Sequence, residues 1–359
     1  MHKQNLSENS IEFRKVLLEW FKIHQREMPW RGVEDPYKIW VSEVMLQQTQ
    51  VKKVVDYYIK FISRFPDVKR LASASLQEVL KMWEGLGYYA RARNLHKAAK
   101  IVVDAYNGEI PSEYKAFRQL PGVGDYSAAA VLSIAYDAPY AAVDGNIKRV
   151  LARLFLMDAP INDNSSSKLF QQQADNLLDR DEPGLFNQAM MELGATVCRP
   201  QSPTCLVCPV NVYCGAFQSA RQDEFPHRNK RIAVPEHHMV TGVINKGTAV
   251  LLVQRPLDGL LGGLWEFPNG RINEGEDVET ACVRLITDAV NLHVKNITYL
   301  TRVKHALTHF KIVVDVFNCD YQSGELILNG PVDAKWVELT KLHEYPLPRT
   351  THKILQHIS

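Results

Sequence analysis

Apolar side chains recur at helical spacing through the first half of the chain. This pattern predicts amphipathic helices over residues 10–25, 37–51, 52–64, 75–83, 91–106, 115–120, 126–136, 146–156, 165–179 and 184–196. Asp35 and Pro36 form a typical helix start, because Asp caps the first turn and Pro suits the first helical position. Strand-like alternation begins only near residue 238, so we expect the first region to be all-helical.

The second region has a different pattern. Two β-rich runs, Met239 to Ile244 and Thr248 to Val253, flank Asn245-Lys246-Gly247 and predict a hairpin. Further strands fit 294–303, 311–319 and 332–338, and helices fit 276–290 and 349–357. We therefore predict an all-helical domain over 1–217, a charged, proline-containing connector over 218–236 and an α+β domain over 237–359.

Composition excludes few classes of function. A chain of 359 residues is long for a single core, and 46% hydrophobic with 23% charged residues is ordinary for a globular protein. The N-terminal stretch MHKQNLSENS lacks an apolar signal core, so we expect a cytoplasmic, intracellular protein without a membrane partner. A net charge of +2 means that any phosphate-binding surface is local.

The stretch LPGVGDYSAAAV, Leu120 to Val131, predicts two short helices joined by a glycine-rich hairpin. Gly122 and Gly124 permit a tight turn and a close approach of the backbone to a ligand. The second helix begins with free N–H groups and the positive end of its dipole, which favour DNA phosphate binding. From this stretch alone, an ordinary helix–turn–helix packing unit remains the alternative.

Four cysteines lie within 17 residues, namely Cys198, Cys205, Cys208 and Cys214. Four thiolates suit either tetrahedral zinc or a [4Fe–4S] cluster. Zinc sites usually combine two C-x2-C pairs, and this segment has one, which favours the iron–sulfur cluster. Cys282 and Cys319 lie elsewhere and are expected to be separate buried thiols.

The hairpin, Asp144 in the sequence VDGN and the cysteine cluster together resemble the helix–hairpin–helix DNA glycosylase superfamily over most of residues 1–217. The cysteine spacing resembles its endonuclease III and adenine glycosylase branch, which implies a [4Fe–4S] cofactor. The resemblance also implies a six-helix barrel over about 27–140, with the hairpin at 113–136, and an iron–sulfur part formed by 1–26 and 141–217.

Several motifs resemble the adenine-specific, MutY-type branch. They are Trp30-Arg31, the stretch SEVMLQQT at 42–49 and the stretch FNQAMMELG at 186–194. Superfamily members that cleave the DNA backbone carry a lysine just past the hairpin, where this chain has Tyr126, so an imine cannot form at that position. Periodicity alone would make Glu43 a surface charge beside an apolar helix face, whereas the resemblance makes it catalytic.

The resemblance implies a mechanism with two carboxyl groups. Glu43, in an apolar pocket, would protonate N7 of adenine, and Asp144 would stabilise or bond to the oxocarbenium-like sugar. Tyr126 and Asn146 would support Asp144 and the intermediate. The implied contacts to the extruded base are Trp30, Arg31 and Gln188, and the residues that fill or wedge the gap in the duplex are Gln48, Leu86 and Tyr88.

Gly270-x5-Glu276-x7-Arg284 resembles the start of a Nudix box. The glutamates expected next are replaced by Leu285, Asp288 and Ala289, so the carboxylates that bind Mg²⁺ for pyrophosphate hydrolysis are missing. A Nudix-like domain without this chemistry resembles the C-terminal domain of MutY-type enzymes, which reads 8-oxoguanine.

Leu307, Thr308 and His309 stand where family members often carry Phe-Ser-His. Thr308 and His309 are therefore candidate contacts to 8-oxoguanine, and the alternative for His309 is an ordinary histidine at a strand end. The departure of Leu307 from Phe removes an aromatic stacking group from the loop.

The complete prediction is a multidomain protein with an all-α glycosylase domain and an α+β Nudix-like domain. The predicted activity is a monofunctional, monomeric glycosylase without lyase activity that removes adenine opposite 8-oxoguanine or guanine in double-stranded DNA. An endonuclease III-like pyrimidine glycosylase with lyase activity is one alternative, and a catalytically silent iron–sulfur DNA-binding protein is the other.

Overall fold

The computed structural model describes residues 9–230, 233–307 and 309–358. The chain divides into two compact units, one formed by Met1–Ala72 with Lys97–Arg231 and the other by Ser73–His96 with Ile232–Ser359. Residues 73–96 thus belong with the C-terminal residues, whereas the sequence-based division at residue 217 assigns them to the helical domain. Among the described residues, the helices are too short or too polar to span a membrane.

Residues 9–230 are helical, as predicted. The helices are α1 (Ser10–His24), α2 (Pro36–Leu46), α3 (Val51–Arg64), α4 (Val68–Ser73), α5 (Leu76–Met82), α6 (Ala90–Tyr106), α7 (Tyr114–Arg118), α8 (Asp125–Tyr136), α9 (Gly145–Phe155), α10 (Ser167–Leu177), α11 (Pro183–Thr196) and α12 (Gly215–Gln218). Short 3-10 turns lie at Asn164–Ser166, Cys205–Val207 and Asn211–Tyr213. The periodicity missed α4, which is only two turns long.

Helix α2 starts as predicted but ends earlier. The Asp35 carboxylate accepts hydrogen bonds from the backbone N–H groups of Tyr37 and Lys38, which is the expected cap. The prediction that the helix continues to residue 51 is wrong, because the chain turns at Gln48, whose φ of 55° lies in the left-handed region.

Small residues in α8 explain how the helices around it pack. Ala128, Ala129 and Ala130 are buried, and α2 and α11 both contact α8. Helix α11 also packs against α1 and α9. Because short side chains let neighbouring helix backbones approach closely, α8 is a central element of the first unit.

The second unit contains a mixed sheet. Its strands are β1 (Glu236–Lys246), β2 (Ala249–Gln254), β3 (Trp265–Glu266), β4 (Asn269–Arg271), β5 (His293–Ala306), β6 (Lys311–Ser323) and β7 (Asp333–Glu338). Their order is β3-β2-β1-β6-β5, with β4 paired to β1 and β7 paired to β2. Strands β1 and β6 are parallel, and the other pairs are antiparallel. The α+β prediction is confirmed, although it missed the very short β3 and β4.

Two apolar cores form on the two faces of this sheet. Val243 belongs to one core and its neighbour Ile244 to the other, as the alternation of side chains along a strand requires. Helices α13 (Val278–Val290) and α14 (Arg349–Leu355) contact the sheet, and a 3-10 turn spans Leu339–Glu344. Cys282 and Cys319 are buried as predicted, and both lie in the same apolar core.

The segment Ser73–His96 is attached to this sheet by specific polar contacts. Gln77 accepts a hydrogen bond from the Trp265 indole at 2.9 Å and donates one to the Gly263 carbonyl at 3.0 Å. Glu84 accepts from the backbone N–H of Leu347 at 2.8 Å. The second unit is therefore built from two stretches that are far apart in the chain.

Candidate active site

A cavity of about 630 Å³ lies in the first unit, at α2, α8, α11 and the start of α9. The predicted site residues that line it are Trp30, Arg31, Glu43, Gln48, Gly122, Gly124, Tyr126, Asp144, Asn146 and Gln188. These residues come from separate stretches of the sequence, and only the packing of the helices around α8 brings them together.

Glu43 lies on α2 and is 5% exposed, so the interpretation as a surface charge is wrong. The Tyr126 hydroxyl donates a hydrogen bond to Glu43 Oε2 at 2.9 Å. Burial raises the pKa of Glu43 to about 7, and the charge of Asp144 adds to this effect, while the Tyr126 hydrogen bond and Arg31 oppose it. A substantial fraction of this carboxyl group therefore carries a proton near neutral pH.

Asp144 has a different environment. It caps the N-terminus of α9, where its carboxylate accepts from the backbone N–H of Ile147 at 2.7 Å and from Asn146 Nδ2 at 3.0 Å. Burial raises the pKa of Asp144, whereas these hydrogen bonds act in the opposite direction. Two N–H donors and the positive end of a helix favour the ionised form, so the two carboxyl groups are suited to different chemical roles.

Asn146 is held in one orientation by Arg149. The Arg149 guanidinium donates to Asn146 Oδ1 at 2.9 Å, to the Gly194 carbonyl at 2.8 Å and to the Cys198 carbonyl at 2.8 Å. The amide nitrogen of Asn146 therefore faces Asp144. Sequence analysis missed Arg149, although a positive charge three residues after Asn146 on the same helix face was an available signal.

Arg31 is fixed by two residues of α11. Its Nη1 donates to Gln188 Oε1 at 3.2 Å, and its Nη2 donates to Glu192 Oε2 at 2.7 Å. Arg26 also donates to Glu192, and its role was missed as well. Trp30 is largely buried and packs edge-on against Tyr58, with ring centroids 5.2 Å apart.

The hairpin differs from the prediction at one glycine. Gly122 has a φ of 78°, a conformation that favours glycine. Gly124 has a φ of −93°, and a side chain there would meet no atom within 4 Å, so its backbone conformation does not require glycine. Both glycines line the cavity and lie directly before α8.

The remaining predicted contacts to DNA lie in the second unit. Leu86 is buried at 5% exposure, whereas Tyr88 is 44% exposed. Thr308 lies outside the described residues. His309 is exposed in the turn that the hydrogen bond from the Leu307 N–H to the Phe310 carbonyl closes at 2.9 Å.

The residues of the Nudix-like motif form an ion pair and apolar packing contacts within the second unit. Glu276 accepts hydrogen bonds from Arg284 at 2.6 and 2.7 Å, and this pairing is the main reason that the pKa of Glu276 falls to about 2. A side chain at Gly270 would collide with Leu285, which packs against an apolar core together with Ala289. Apolar packing thus occupies two positions where the motif would carry metal-binding carboxylates.

The four clustered cysteines lie close enough to influence one another. Burial raises the pKa of Cys208 to about 12 and of Cys214 to about 11, and the neighbouring cysteine thiolates contribute in both cases. Arg153, which is buried, donates to Cys198 Sγ at 3.3 Å. Within the described part of the chain, no three His, Cys, Asp or Glu side chains converge as ligands of a single metal ion.

Comparison with known proteins agrees with this fold. The profile of the HhH-GPD superfamily of base excision DNA repair proteins matches residues 41–175, and that of the NUDIX domain matches residues 239–357. A solved thermostable thymine-DNA glycosylase superimposes with a TM-score of 0.54 and 29% identity, covering 59% of this chain and 98% of its own.

Curated relatives extend over nearly the whole chain. The adenine DNA glycosylase of Homo sapiens is 35% identical, covering 96% of this chain and 73% of its own length. That of Buchnera aphidicola subsp. Baizongia pistaciae is 32% identical, covering 85% of each. The fold and the site therefore define a DNA glycosylase of base excision repair. Within that class, the chain belongs to the adenine DNA glycosylase family.

Proposed function

We propose that this adenine DNA glycosylase hydrolyses the N-glycosidic bond of adenine paired with 8-oxoguanine or guanine in duplex DNA, and thereby prevents G:C to T:A transversions. The observation that carries the proposal is the pairing of Glu43, whose pKa is about 7, with Asp144, which caps a helix, in one cavity. The cavity volume of about 630 Å³ accommodates an extruded base and its sugar.

In the first step, protonated Glu43 gives its proton to N7 of adenine. The bond between C1′ and N9 then breaks, and its electron pair leaves with the neutral base. General acid catalysis of this kind typically contributes about 10²–10⁴-fold. The Tyr126 hydroxyl, whose pKa is raised well above its usual range by burial, stays protonated and orients the Glu43 carboxyl.

In the second step, ionised Asp144 stabilises the positive charge on the sugar or bonds to C1′. Glu43, now a carboxylate, takes a proton from the water that adds to C1′. Where a bond between Asp144 and C1′ has formed, it breaks in this step, and its electron pair returns to the Asp144 carboxylate. Asn146 holds Asp144 in place, and Trp30, Arg31 and Gln188 contact the extruded adenine. The proton taken from water leaves Glu43 protonated for the next cycle.

Single-turnover release of adenine from a duplex with one adenine opposite 8-oxoguanine tests this mechanism. Glu43→Gln and Asp144→Asn should each lower the rate at least about 100-fold while duplex affinity stays near wild type. Glu12→Gln, on the exposed side of α1, is the matched control. Retention of a tenth of the wild-type rate by Glu43→Gln would remove the acid from the mechanism.

The same assay separates the alternatives. A pyrimidine glycosylase with lyase activity would release no adenine here but would cleave a duplex that carries an oxidised pyrimidine, and a silent DNA-binding protein would act on neither duplex. Tyr126 at the lysine position supports monofunctional chemistry. Borohydride added during turnover should therefore trap little cross-linked enzyme, and efficient trapping would identify another amine as a nucleophile.

We infer that the Nudix-like unit senses 8-oxoguanine, because its motif has lost metal carboxylates while its fold persists. Thr308 and His309 are the proposed contacts to the modified base. Gln48, Leu86 and Tyr88 would fill the space that the extruded adenine leaves. Tyr88 is the best supported of these three, since the residue is 44% exposed.

The double variant Thr308→Ala/His309→Ala should lower the preference for 8-oxoguanine over guanine by about tenfold, which corresponds to about 1.4 kcal/mol. Matched duplexes that differ only in that base give the preference from single-turnover rates and affinities. His293→Ala, an exposed histidine on β5, is the control. If the double variant discriminates as well as wild type, the loop is not the reader.

Cys198, Cys205, Cys208 and Cys214 would hold a [4Fe–4S] cluster, and the donor set fits it. The pKa values of Cys208 and Cys214 are raised partly by mutual thiolate repulsion, which iron would relieve. When bound, the cluster would supply iron–thiolate bonds that cross-link this segment.

Iron and sulfide assays on anaerobically purified protein should give about four of each per chain. Stoichiometric zinc without sulfide would exclude the cluster. We also propose that the protein acts as a monomer on double-stranded DNA, which sedimentation of the free and DNA-bound protein tests.

A further inference from the structure

We infer that Glu192 is a positioning residue for adenine release. Its carboxylate anchors Arg31 at the cavity and offsets the positive charge that Arg31 places beside Glu43. This inference rests on the roles proposed above for Glu43 and Arg31, and the experiment below separates its failure from theirs.

The geometry places Glu192 between two guanidinium groups. Its side chain is 1% exposed, and its oxygens accept from Arg31 Nη2 at 2.7 Å and from Arg26 Nε at 2.5 Å and Nη2 at 3.1 Å. Gln188 lies one turn earlier on α11 and accepts from Arg31 Nη1 at 3.2 Å. One face of α11 thus holds the Arg31 guanidinium at two of its nitrogens.

The third nitrogen of the Arg31 guanidinium, Nε, lacks a hydrogen-bond acceptor among the described residues. This nitrogen is buried. An unsatisfied buried donor is costly, so this guanidinium would not keep its position without the strong acceptor that Glu192 supplies. A buried carboxylate with two cationic partners is a costly arrangement in itself, which suggests retention for a function.

The charges around Glu43 make a second role for Glu192 explicit. The titratable or charged groups that face Glu43 are Tyr126, Asp144 and Arg31. Arg31 lowers the pKa of Glu43, which works against a general acid. Glu192 counters that charge, so neutralising Glu192 leaves the guanidiniums of Arg31 and Arg26 uncompensated and favours ionised Glu43.

The test measures single-turnover adenine release by the full-length protein from pH 5.5 to 9. Glu192→Gln should lower the rate at pH 7.5 by about tenfold and should move the pH of half-maximal rate down by at least about 0.5. Glu182→Gln, an exposed carboxylate at the start of the same helix, is the matched control and should match wild type in both.

A double variant separates the two proposed roles of Glu192, which are holding Arg31 in place and offsetting positive charge near Glu43. Arg26→Gln/Glu192→Gln removes one charge of each sign, so its pH of half-maximal rate should return to that of wild type. Its rate should stay low, because Arg31 still lacks its anchor. If Glu192→Gln alone does not fold, the low rate and unshifted midpoint of this double variant carry the test.

The possible failures are distinguishable. If Glu192→Gln folds and has the rate and midpoint of wild type, Glu192 is not a positioning residue. If its rate falls only in proportion to the fraction of active enzyme in a burst titration, its role is structural and the inference is wrong. If Glu43→Gln stays active or wild type has no basic limb, the proposed acid role fails instead.

Discussion

Removing the catalytic carboxyl should stabilise the protein, because the fold keeps Glu43 in a place where its charged form is unfavourable. Burial raises the pKa of Glu43 from its ordinary 4.5 to about 7. The folded state therefore binds this proton more tightly than the unfolded chain. Stability from the neutral carboxyl is fully present below pH 4.5 and is lost as the pH rises through about 7.

The magnitude follows from the two pKa values. At pH 5.5 most of Glu43 is ionised in the unfolded chain but protonated in the folded protein. Compared with a side chain that does not titrate, Glu43 then lowers the free energy of unfolding by about 1.5 kcal/mol. At pH 8.5 Glu43 is ionised in both the folded and the unfolded protein, and this lowering of the free energy of unfolding reaches about 3.5 kcal/mol. The advantage of Glu43→Gln over wild type should therefore grow by about 2 kcal/mol between these pH values.

Thermal unfolding of the two proteins at pH 5.5 and 8.5 measures this advantage. For a unit of this size, 2 kcal/mol corresponds to an increase in Tm difference of about 4–8 °C. Glu12→Gln, which replaces an exposed carboxylate on α1, should show no such growth. A Tm difference between Glu43→Gln and wild type that is the same at both pH values would refute the raised pKa.

Two further predictions concern single hydrogen bonds. Tyr126→Phe removes the bond that lowers the pKa of Glu43, so the basic limb of the rate profile should move to higher pH. Tyr114→Phe, which removes an exposed hydrogen bond to Asp125, should leave that limb unchanged. Arg302→Gln breaks a bidentate pair with Asp315, which is 1% exposed. The variant should lower stability in urea, because it leaves a buried carboxylate without its partner, and adding Asp315→Asn should recover part of the loss.

The sequence predicted most elements because their periodicity is local. Helix α1 buries one face, and strand β6 is a continuous run rich in β-branched and aromatic residues, so a local side-chain pattern identifies each of them. Helix α2 was harder to interpret. Its residues from Ile39 to Met45 are all buried, so periodicity could not show that Glu43 faces a cavity instead of solvent.

The supporting residues of the site could not be predicted in this way. Arg26 and Glu192 are 166 positions apart, and Arg149 contacts the Cys198 carbonyl across 49 positions. Such contacts depend on how helices pack, which no local pattern encodes. Motif resemblance supplied residues that touch substrate in relatives, but it carried no information about the residues that hold them.

The chain enters the second unit at Ser73, leaves it at His96 and enters it again at Ile232. A protease that nicks the connector would therefore not release the Nudix-like portion, because Gln77 and Glu84 bind Trp265, Gly263 and Leu347 from the other fragment. The nicked fragments should co-elute until denatured. For the same reason, recombination could not transfer the Nudix-like portion to another glycosylase as a working unit unless residues 73–96 were transferred with it.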